Sequence, residues 1–282
     1  MKKFKAESQK VLDMMINSIY TNKEIFMREL LSNASDAIDK LYFKSLNGGA
    51  SGLSRSDFSI NVAFDKDKRT ITISDNGIGM TAEELENNLG VIAKSGSRDF
   101  KAENKEKSDD ISIIGQFGVG FYSAFMVADK VEVLSKAYGS DAANLWTSSG
   151  AEGYDIKPAE KEGNGTDVIL HLKPDSEEEN YSDYLTEYKL KSLIKKYSDY
   201  IKYPVKMQVT HFTPTEDGKS STQTVAVETV NSMVPLWKRN KSEITEDEYN
   251  EFYKNMFYDY ENPLKVIHTS MEGSVDFKAL LF

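Results

Sequence analysis

Residues 22–45 read NKEIFMRELLSNASDAIDKLYFKS and predict one long helix, which follows a break at Thr21-Asn22. Apolar residues recur along one face of that helix at helical spacing, namely Phe26, Leu30, Ala34, Ala37 and Leu41. At about 100° per residue, Glu29, Asn33 and Asp36 fall within about 60° of arc beside the apolar face. A carboxylate and an amide beside the apolar face could therefore face a cleft. A solvated helix edge is the alternative that the helix alone leaves open.

The stretch Asp75-Asn76-Gly77-Ile78-Gly79-Met80 ends a predicted strand in which Ile71 and Ile73 alternate with polar residues. Asp75 continues the alternation, so its carboxylate is expected on the same inward face. A buried carboxylate is costly unless a donor pairs with it or a proton neutralises it. Gly77 and Gly79 would let a ligand approach the backbone closely. The alternative is an ordinary hairpin turn, because Asn-Gly is a strong hairpin signal.

Two glycine-rich segments follow. The first, Gly115-Gln116-Phe117-Gly118-Val119-Gly120-Phe121, precedes a helix-like Tyr122–Phe125, and free N–H groups ahead of a helix favour phosphate. It matches neither a Walker A loop nor a dinucleotide fingerprint, so alone it is a weak signal. The second, Gly163-Asn164-Gly165-Thr166, opens a strand with Thr166 on the apolar face. The Thr166 hydroxyl could join a polar network around a base, or it could be a structural strand threonine.

The remaining pattern predicts helices near 8–19, 81–89, 190–201 and 245–257, and strands near 58–64, 131–134, 145–147, 166–172 and 264–269. Strands and helices do not alternate regularly. We therefore predict an α/β (α+β) two-layer sandwich with helices on one face of a largely antiparallel mixed sheet. Residues 94–110 are polar and are expected to be mobile and solvated, and residues 213–221 predict a turn or short linker. The apolar residues 279–282 look like a strand cut in the middle, so we expect a fragment of a longer protein.

Composition excludes several classes of function. The 282 residues suffice for about two domains, with 39% hydrophobic and 28% charged residues. A net charge of −10 disfavours a nucleic-acid partner, since Lys and Arg supply affinity for a phosphate backbone. No apolar run approaches the ~18 residues of a membrane span and no secretory signal opens the chain, so no membrane partner is expected. The absence of cysteine fits a reducing, cytoplasmic location.

Together and in this order, the segments resemble the ATP-binding domain shared by gyrases, 90-kilodalton heat-shock chaperones, histidine kinases and mismatch-repair MutL proteins. The run YTNKEIFMRELLSNASDA at residues 20–37 resembles the signature of the 90-kilodalton heat-shock protein family, in particular its bacterial form. Residues 92–96, 115–121 and 235–237 match that family as well. Thr21 and Met27 depart from the signature, where Ser and Leu are usual, without altering its chemistry.

The resemblance implies an ATPase that uses ATP and Mg²⁺. Glu29 would orient and deprotonate the attacking water, and Asn33 would coordinate Mg²⁺. Asp75 would accept a hydrogen bond from the adenine amino group, with Gly79 and Thr166 joining through ordered water. The other nucleotide contacts would come from Asp36, Ala37, Met80, Asn88, Leu89, Lys94, Gly118, Val119, Gly120 and Phe121.

The resemblance also implies a domain plan and a biological role. Residues 1–230 would form the ATP-binding domain with a lid at about 90–115, and residues 231–282 would begin a truncated middle domain. Full-length members are homodimeric clamps that remodel client proteins in the heat-shock response. The fragment is expected to be monomeric and to hydrolyse ATP slowly.

Three other functions compete with a chaperone ATPase. A histidine kinase is disfavoured because no histidine precedes His171, and a gyrase-type DNA enzyme is disfavoured by the charge of −10. A module that binds ATP without turnover is disfavoured by the candidate base Glu29. The histidines His171, His211 and His268 are too far apart in sequence for zinc-ligand spacing.

Overall fold

The computed structural model describes residues 22–46, 48, 52–91, 94, 96–97, 100, 115, 118–150, 152–214, 221–273 and 276–282. They fall into two compact units, divided between Asn231 and Ser232. The predicted helix at 8–19 and nearly all of the predicted lid lie outside the described residues. Within the described part of the chain, none of the helices is long and apolar enough to span a membrane.

The first unit contains an eight-stranded sheet. Its strands are β1 Ile60–Asp65, β2 Thr70–Asp75, β3 Ala128–Lys136, β4 Ala143–Ser148, β5 Tyr154–Ala159, β6 Gly165–Leu172, β7 Val205–Pro214 and β8 Ser221–Thr229. Their order is β5-β4-β3-β6-β2-β1-β7-β8, and every pair is antiparallel except β1 and β7, which are parallel. The predicted largely antiparallel mixed sheet is confirmed.

The α-helices described in this unit are α1 Ile25–Leu46, α2 Ala82–Leu89 and α3 Glu187–Ser198, and 3₁₀ turns lie at Arg55–Asp57, Gly120–Met126 and Tyr181–Tyr184. α1 contacts β1, β2 and α3, and its apolar face enters one core with Ile71 and Ile73. Fully burying one such side chain is worth about 1.5–3 kcal/mol. The predicted helix over 22–45 is confirmed, and it lies directly on the strand that ends in Asp75.

α2 has the start signal that its sequence predicts. The Glu84 N–H donates to the Thr81 hydroxyl at 3.2 Å, and the Thr81 N–H donates to the Glu84 carboxylate at 2.7 Å, which is a capping box. The helix ends before Gly90. α2 thus begins directly after the loop that follows β2.

Glu24 fastens the start of α1 to α3. Its carboxylate accepts hydrogen bonds from Lys189 at 2.6 Å, from Lys196 at 3.0 Å and from the Tyr197 hydroxyl at 2.9 Å. The hydrogen bond from Lys189 is the largest of the effects that lower the pKa of Glu24 to about 2. The first turn of α1, which leads into Glu29 and Asn33, is thereby fixed to the neighbouring helix.

Several local predictions differ from the structure. Residues 122–125 lie in the 3₁₀ turn Gly120–Met126 rather than in an α-helix. The turn or short linker predicted over 213–221 is shorter than that range, because Thr213 and Pro214 end β7 and Ser221 begins β8, and residues 215–220 lie outside the described residues. α3 ends at Ser198, and Ile201 packs into the core from beyond its end.

Strands β5 and β8 were missed for a physical reason. Both expose side chains on both faces, so neither shows the alternation by which a half-buried strand is recognised. β7 could have been found, because Val205, Met207 and Val209 are buried at alternating positions. An exposed edge strand is thus harder to predict than the neighbour that covers part of the core.

The second unit consists of α4 Glu246–Phe257, the hairpin β9 Ile267–Met271 and β10 Phe277–Leu281, and 3₁₀ turns at Leu236–Lys238 and Lys241–Glu243. Leu236, Ile244 and Tyr249 form its small core. The predicted helix near 245–257 is confirmed, with a capping box at Thr245. The strand predicted near 264–269 begins later, at Ile267.

Candidate nucleotide site

A row of polar side chains crosses three neighbouring strands on the buried face of the sheet. Asp75 on β2 lies opposite Thr166 on β6, and Thr166 lies opposite Ser135 on β3. The three residues are 9%, 6% and 0% exposed. The inward alternation predicted for Asp75 and Thr166 is therefore confirmed. We call Asp75, Thr166 and Ser135 the polar row.

Asp75 is a buried hydrogen-bond acceptor whose pKa is higher than that of an exposed aspartate. Its Oδ1 accepts a hydrogen bond from the Gly77 N–H at 2.8 Å. Burial raises the pKa of Asp75 to about 7 and the nearby Asp167 adds to the rise, while backbone N–H groups and Lys161 oppose it. Near neutral pH the carboxyl is balanced between its two forms. A ligand N–H group would favour the ionised form by donating to it.

The glycines after Asp75 are required by contacts within the protein. A Cβ atom placed on Gly77 would lie 2.5 Å from the carbonyl carbon of Ala37, and the Ile78 N–H donates to the Ala37 oxygen at 3.0 Å. Gly79 has φ +64°, and a Cβ there would lie 1.9 Å from the Lys136 oxygen. Both glycines are therefore required by close approaches of α1 and of the end of β3, and the approach of a ligand at Gly77 and Gly79 stays a prediction.

Residues of α2 and the loop before it lie beside the polar row. The Met80 N–H donates to the Ser135 hydroxyl at 2.9 Å, and the Asn88 side-chain nitrogen lies 3.9 Å from the Met80 sulfur. Leu89 is buried, and its carbonyl accepts a hydrogen bond from the Tyr122 hydroxyl at 2.9 Å. Met80, Asn88 and Leu89 therefore connect the polar row to α2.

Glu29, Asn33 and Asp36 on α1 lie beside glycines of the first glycine-rich segment, residues 115–121. A Cβ placed on Gly120 would lie 2.2 Å from Glu29 Oε2, so only glycine fits against that carboxylate in its present position. Asp36 is buried, and its Oδ2 accepts the Gly115 N–H at 2.8 Å. Asn33 is exposed, and its Oδ1 would lie 3.4 Å from a Cβ on Gly115. A purely solvated helix edge is therefore the wrong interpretation of this stripe.

The segment from Gly118 to Phe121 is held from two sides. Gly118 has φ +66°, and a Cβ there would lie 2.2 Å from the carbonyl oxygen of Lys94. Phe121 is buried and sets its ring edge-on against Trp146, with ring centroids 5.5 Å apart. Val119 between them is half-buried. Lys94, a predicted phosphate contact, is thus placed next to the glycine-rich segment through its backbone.

Glu29 already has a charged partner. The Arg28 guanidinium donates to Glu29 Oε1 from Nη2 at 2.5 Å and from Nε at 3.0 Å. Sequence spacing does not predict this contact, because adjacent residues of a helix do not normally face each other. The candidate base therefore has one oxygen held by Arg28 and the other beside Gly120.

Two further residues of the site were missed. Ser135 continues the inward alternation of Val131 and Val133, so the same reasoning that found Thr166 could have found it. The Asn164 side-chain nitrogen donates to the Gly77 oxygen at 2.7 Å, which joins the two loops beside Asp75. No spacing rule in the sequence indicates that second contact.

Two protein-family models match parts of the chain. A family model described as "Histidine kinase-, DNA gyrase B-, and HSP90-like ATPase" matches residues 20–165, the part of the chain that contains α1, β2, the glycine-rich segment and β3. A second family model, described as "Hsp90 protein", matches residues 213–282. The fold and the site thus define this ATPase class, and the chain belongs to the Hsp90 family within it.

Curated relatives match along the whole chain. The chain is 57% identical to a "Chaperone protein HtpG" of Clostridium botulinum (strain Loch Maree) over 282 residues, which is 100% of this chain and 45% of the relative. It is 55% identical to the Bacillus licheniformis protein of that name, with the same coverage. It is 53% identical to the one from Natranaerobius thermophilus over 281 residues, 99% of this chain and 45% of the relative. The chain therefore spans a little under half the length of these relatives.

Proposed function

We propose that the first unit binds ATP with Mg²⁺ and hydrolyses it, and that the whole protein is an ATP-dependent chaperone. The observation that carries the proposal is the polar row, in which the buried carboxylate of Asp75 lies in register with the Thr166 hydroxyl. A buried acceptor that titrates near neutral pH suits the amino group of adenine. Membership of the Hsp90 family supports the same ligand.

The residues present fit a nucleotide. In this proposal Asp75 accepts from the adenine amino group, Thr166 and Gly79 complete that contact, and the apolar side of the base meets Ala37, Met80 and Leu89. Asn88 and Lys94 serve the ribose and the phosphates, and the backbone of residues 118–121 holds the phosphates. Gly118 and Gly120 are compatible with that role, because they carry no side chain that could cover the backbone N–H groups of this segment.

The magnesium ion would be held chiefly by the nucleotide. Mg²⁺ commonly takes one or two protein oxygens and completes its shell with phosphates and water. Asn33 supplies one such oxygen, and its exposure on α1 leaves it accessible. Asp36 lies one turn further along the same helix edge, with its carboxylate on the Gly115 N–H. When bound, the ion supplies neutralisation of charge on the phosphates.

Glu29 is the proposed general base. Its Oε2 lies on the side of Gly120, next to the segment proposed to hold the phosphates. Its Oε1 is paired with Arg28, which therefore engages one of the two carboxylate oxygens. Hydrolysis would therefore involve Glu29 orienting water with Oε2 while Arg28 holds, or first releases, Oε1.

The proposal extends to the whole protein. Residues 1–230 are the ATP-binding domain with a lid at about 90–115, and residues 231–282 begin a middle domain, in keeping with the separate compact unit and the Hsp90 match there. The intact protein is a homodimer that acts on client proteins. The cysteine-free composition supports a reducing, cytoplasmic location.

Calorimetric titration with ATP and Mg²⁺ tests the proposal. Wild-type protein is expected to bind, and Asp75→Asn should lose about 2–5 kcal/mol of binding free energy, as when one partner of a buried charged hydrogen bond is changed. Asp155→Asn is the matched control, because Asp155 is an exposed strand residue outside the site. Equal affinity of the wild-type and Asp75→Asn proteins would overturn the assignment of the base pocket.

A further inference from the structure

Ser135 is the most buried member of the polar row and has three polar neighbours. Its Oγ accepts the Met80 N–H at 2.9 Å, lies 2.8 Å from Thr166 Oγ1, and lies 3.3 Å from the carbonyl oxygen of Gly165. It is 0% exposed. Ser135 thus joins the loop after β2 to the start of β6 from a third strand.

The proton of Ser135 has two possible acceptors. A serine hydroxyl has one proton to donate and two lone pairs to accept with, and the Met80 N–H occupies a lone pair. Hydroxyl hydrogen bonds to oxygen are commonly about 2.7–2.8 Å long and rarely exceed about 3.0 Å. The 2.8 Å contact with Thr166 fits that range and the 3.3 Å contact with Gly165 does not. Thr166 Oγ1 is therefore the better placed acceptor for the Ser135 proton, and either hydroxyl can be the donor across the 2.8 Å contact.

The direction of that bond determines what Thr166 offers to a ligand. With Ser135 as the donor, the Thr166 proton is directed away from Ser135, and Asp75 lies on the opposite side of Thr166 in the row. The polar row then presents an acceptor, the Asp75 carboxylate, beside a donor, the Thr166 hydroxyl. Adenine has the complementary edge, with an amino donor beside a ring-nitrogen acceptor. Hypoxanthine and guanine reverse it, with a carbonyl acceptor beside a ring N–H.

We propose that Ser135 is a positioning residue for base specificity: it donates its proton to Thr166 Oγ1 and so orients the Thr166 hydroxyl, with the result that the site accepts adenine and rejects 6-oxopurines. The proposal rests on the proposed ATP binding and adds to it a residue that does not touch the nucleotide. If Ser135 had only a structural role, its replacement would lower the affinity for every nucleotide equally. If Ser135 orients Thr166, its replacement lowers the affinity for adenine nucleotides relative to 6-oxopurine nucleotides, whether Thr166 contacts the base directly or through one bridging water.

The test compares ATP with inosine triphosphate, each with Mg²⁺, by calorimetric titration of the purified chain. Ser135→Ala is expected to lower the ratio of ATP to inosine triphosphate affinity by roughly fivefold to tenfold, the effect of about one hydrogen bond. Ser135→Thr keeps the hydroxyl and should keep most of the ratio. Ser148→Ala is the matched control, since Ser148 is also a buried strand serine but hydrogen-bonds Gly150 and Gly153 instead.

Repeating the experiment in a Thr166→Val variant distinguishes an orienting role of Ser135 from a purely structural one. In Thr166→Val the hydroxyl to be oriented is gone, so adding Ser135→Ala should leave the ratio unchanged. If Ser135→Ala proves unfolded by thermal melting, Ser135→Cys, with its weak donor, replaces it in both backgrounds.

The outcomes distinguish this inference from the proposed function. An equal loss for both nucleotides in Ser135→Ala, or the same change of ratio in the Thr166→Val background, would overturn the orienting role and leave ATP binding intact. Failure of the wild-type protein to bind ATP would overturn the proposed function and this inference with it.

Discussion

The two ends of the proposed site are built by different means. At the base end, Asp75, Thr166 and Ser135 come from three strands, and the pairing register of the sheet sets their spacing. At the phosphate end, Glu29 and Asn33 project from one helix towards a glycine-rich segment outside the strands. The hydrogen bonds of a sheet hold its side chains in place whether or not a ligand is bound. The position of a loop depends on contacts of single side chains, which can form and break. We therefore expect the base end to be more rigid than the phosphate end.

The polar contacts at the two ends show the same contrast. The polar row is buried, and its atoms bond to strands and to the backbone of the loops beside it. The Glu29 carboxylate instead pairs with Arg28, whose side chain is 47% exposed. An exposed ion pair contributes little free energy, typically less than about 1 kcal/mol, so it can be exchanged at low cost. Recognition is thus assigned to the fixed end and chemistry to the adjustable end.

The largest predicted effect separates the two ends by function. Glu29→Gln removes the proposed base, so hydrolysis by the intact protein should fall by roughly 10²–10⁴, the usual contribution of a general base. ATP affinity should stay nearly unchanged, because the base end is untouched. Phosphate release and calorimetry on the same preparation measure both quantities.

Glu86→Gln is the control for that experiment, since Glu86 is an exposed glutamate of α2. Retained hydrolysis in Glu29→Gln would assign the base elsewhere, with Asp36 as the next candidate. A loss of ATP affinity as large as the loss of rate would show that the two ends are not separate.

A pair of glycine substitutions tests how firmly each end is held. Gly79→Ala would place a Cβ against a backbone oxygen at a residue with positive φ, so we expect a loss of at least about 2 kcal/mol in the free energy of unfolding. Gly120→Ala would meet the Glu29 side chain, whose Oε2 at 2.2 Å and Cδ at 3.1 Å can rotate away and whose Cβ at 3.3 Å needs only a small shift, so its cost should be smaller, about 1 kcal/mol. Urea denaturation measures both. Equal costs would remove the proposed difference in rigidity.

A smaller effect is expected from pH. Below a pKa of about 7 the free protein carries a protonated Asp75, and that proton must be lost before the carboxylate can accept from adenine. ATP affinity should therefore fall roughly tenfold between about pH 8 and about pH 6. Asp75→Asn should be flat over this range, apart from protonation of the nucleotide itself, which both proteins share. A wild-type profile parallel to that of Asp75→Asn would exclude Asp75 as the titrating group.

The raised pKa of Asp75 also affects the stability of the protein. ATP affinity is expected to rise with pH, whereas the contribution of Asp75 to the free energy of unfolding is expected to fall. The native state holds the Asp75 proton more tightly than an unfolded chain, in which an aspartate titrates near about 3.9. The contribution of Asp75 to the free energy of unfolding is therefore full at acid pH and decreases as pH rises from about 4 to about 7. Urea titrations of the free wild-type and Asp75→Asn proteins across this range measure it.

Sequence reasoning found the base end more completely than the phosphate end, for physical reasons. A strand has period two, so the inward faces of Asp75 and Thr166 could be predicted from their apolar neighbours, and both are buried. Contacts set by rotamers and loop paths have no such period. The pairing of Arg28 with Glu29 and the contact of Asp36 with Gly115 therefore could not be predicted. Gly79 was correctly singled out, but the backbone that requires it belongs to β3.

The most direct test of the central claim is a count of the protons released when ATP binds. If the buried Asp75 carboxyl has a pKa of about 7 and becomes a carboxylate that accepts from adenine, binding at pH 7 should release about half a proton. Calorimetric titration of wild-type and Asp75→Asn proteins in buffers of different ionisation enthalpy measures that number, and the nucleotide and Mg²⁺ contribute equally in both. The account predicts a difference of about half a proton between the two proteins. The same proton count for both would contradict the claim that Asp75 on the sheet recognises the base.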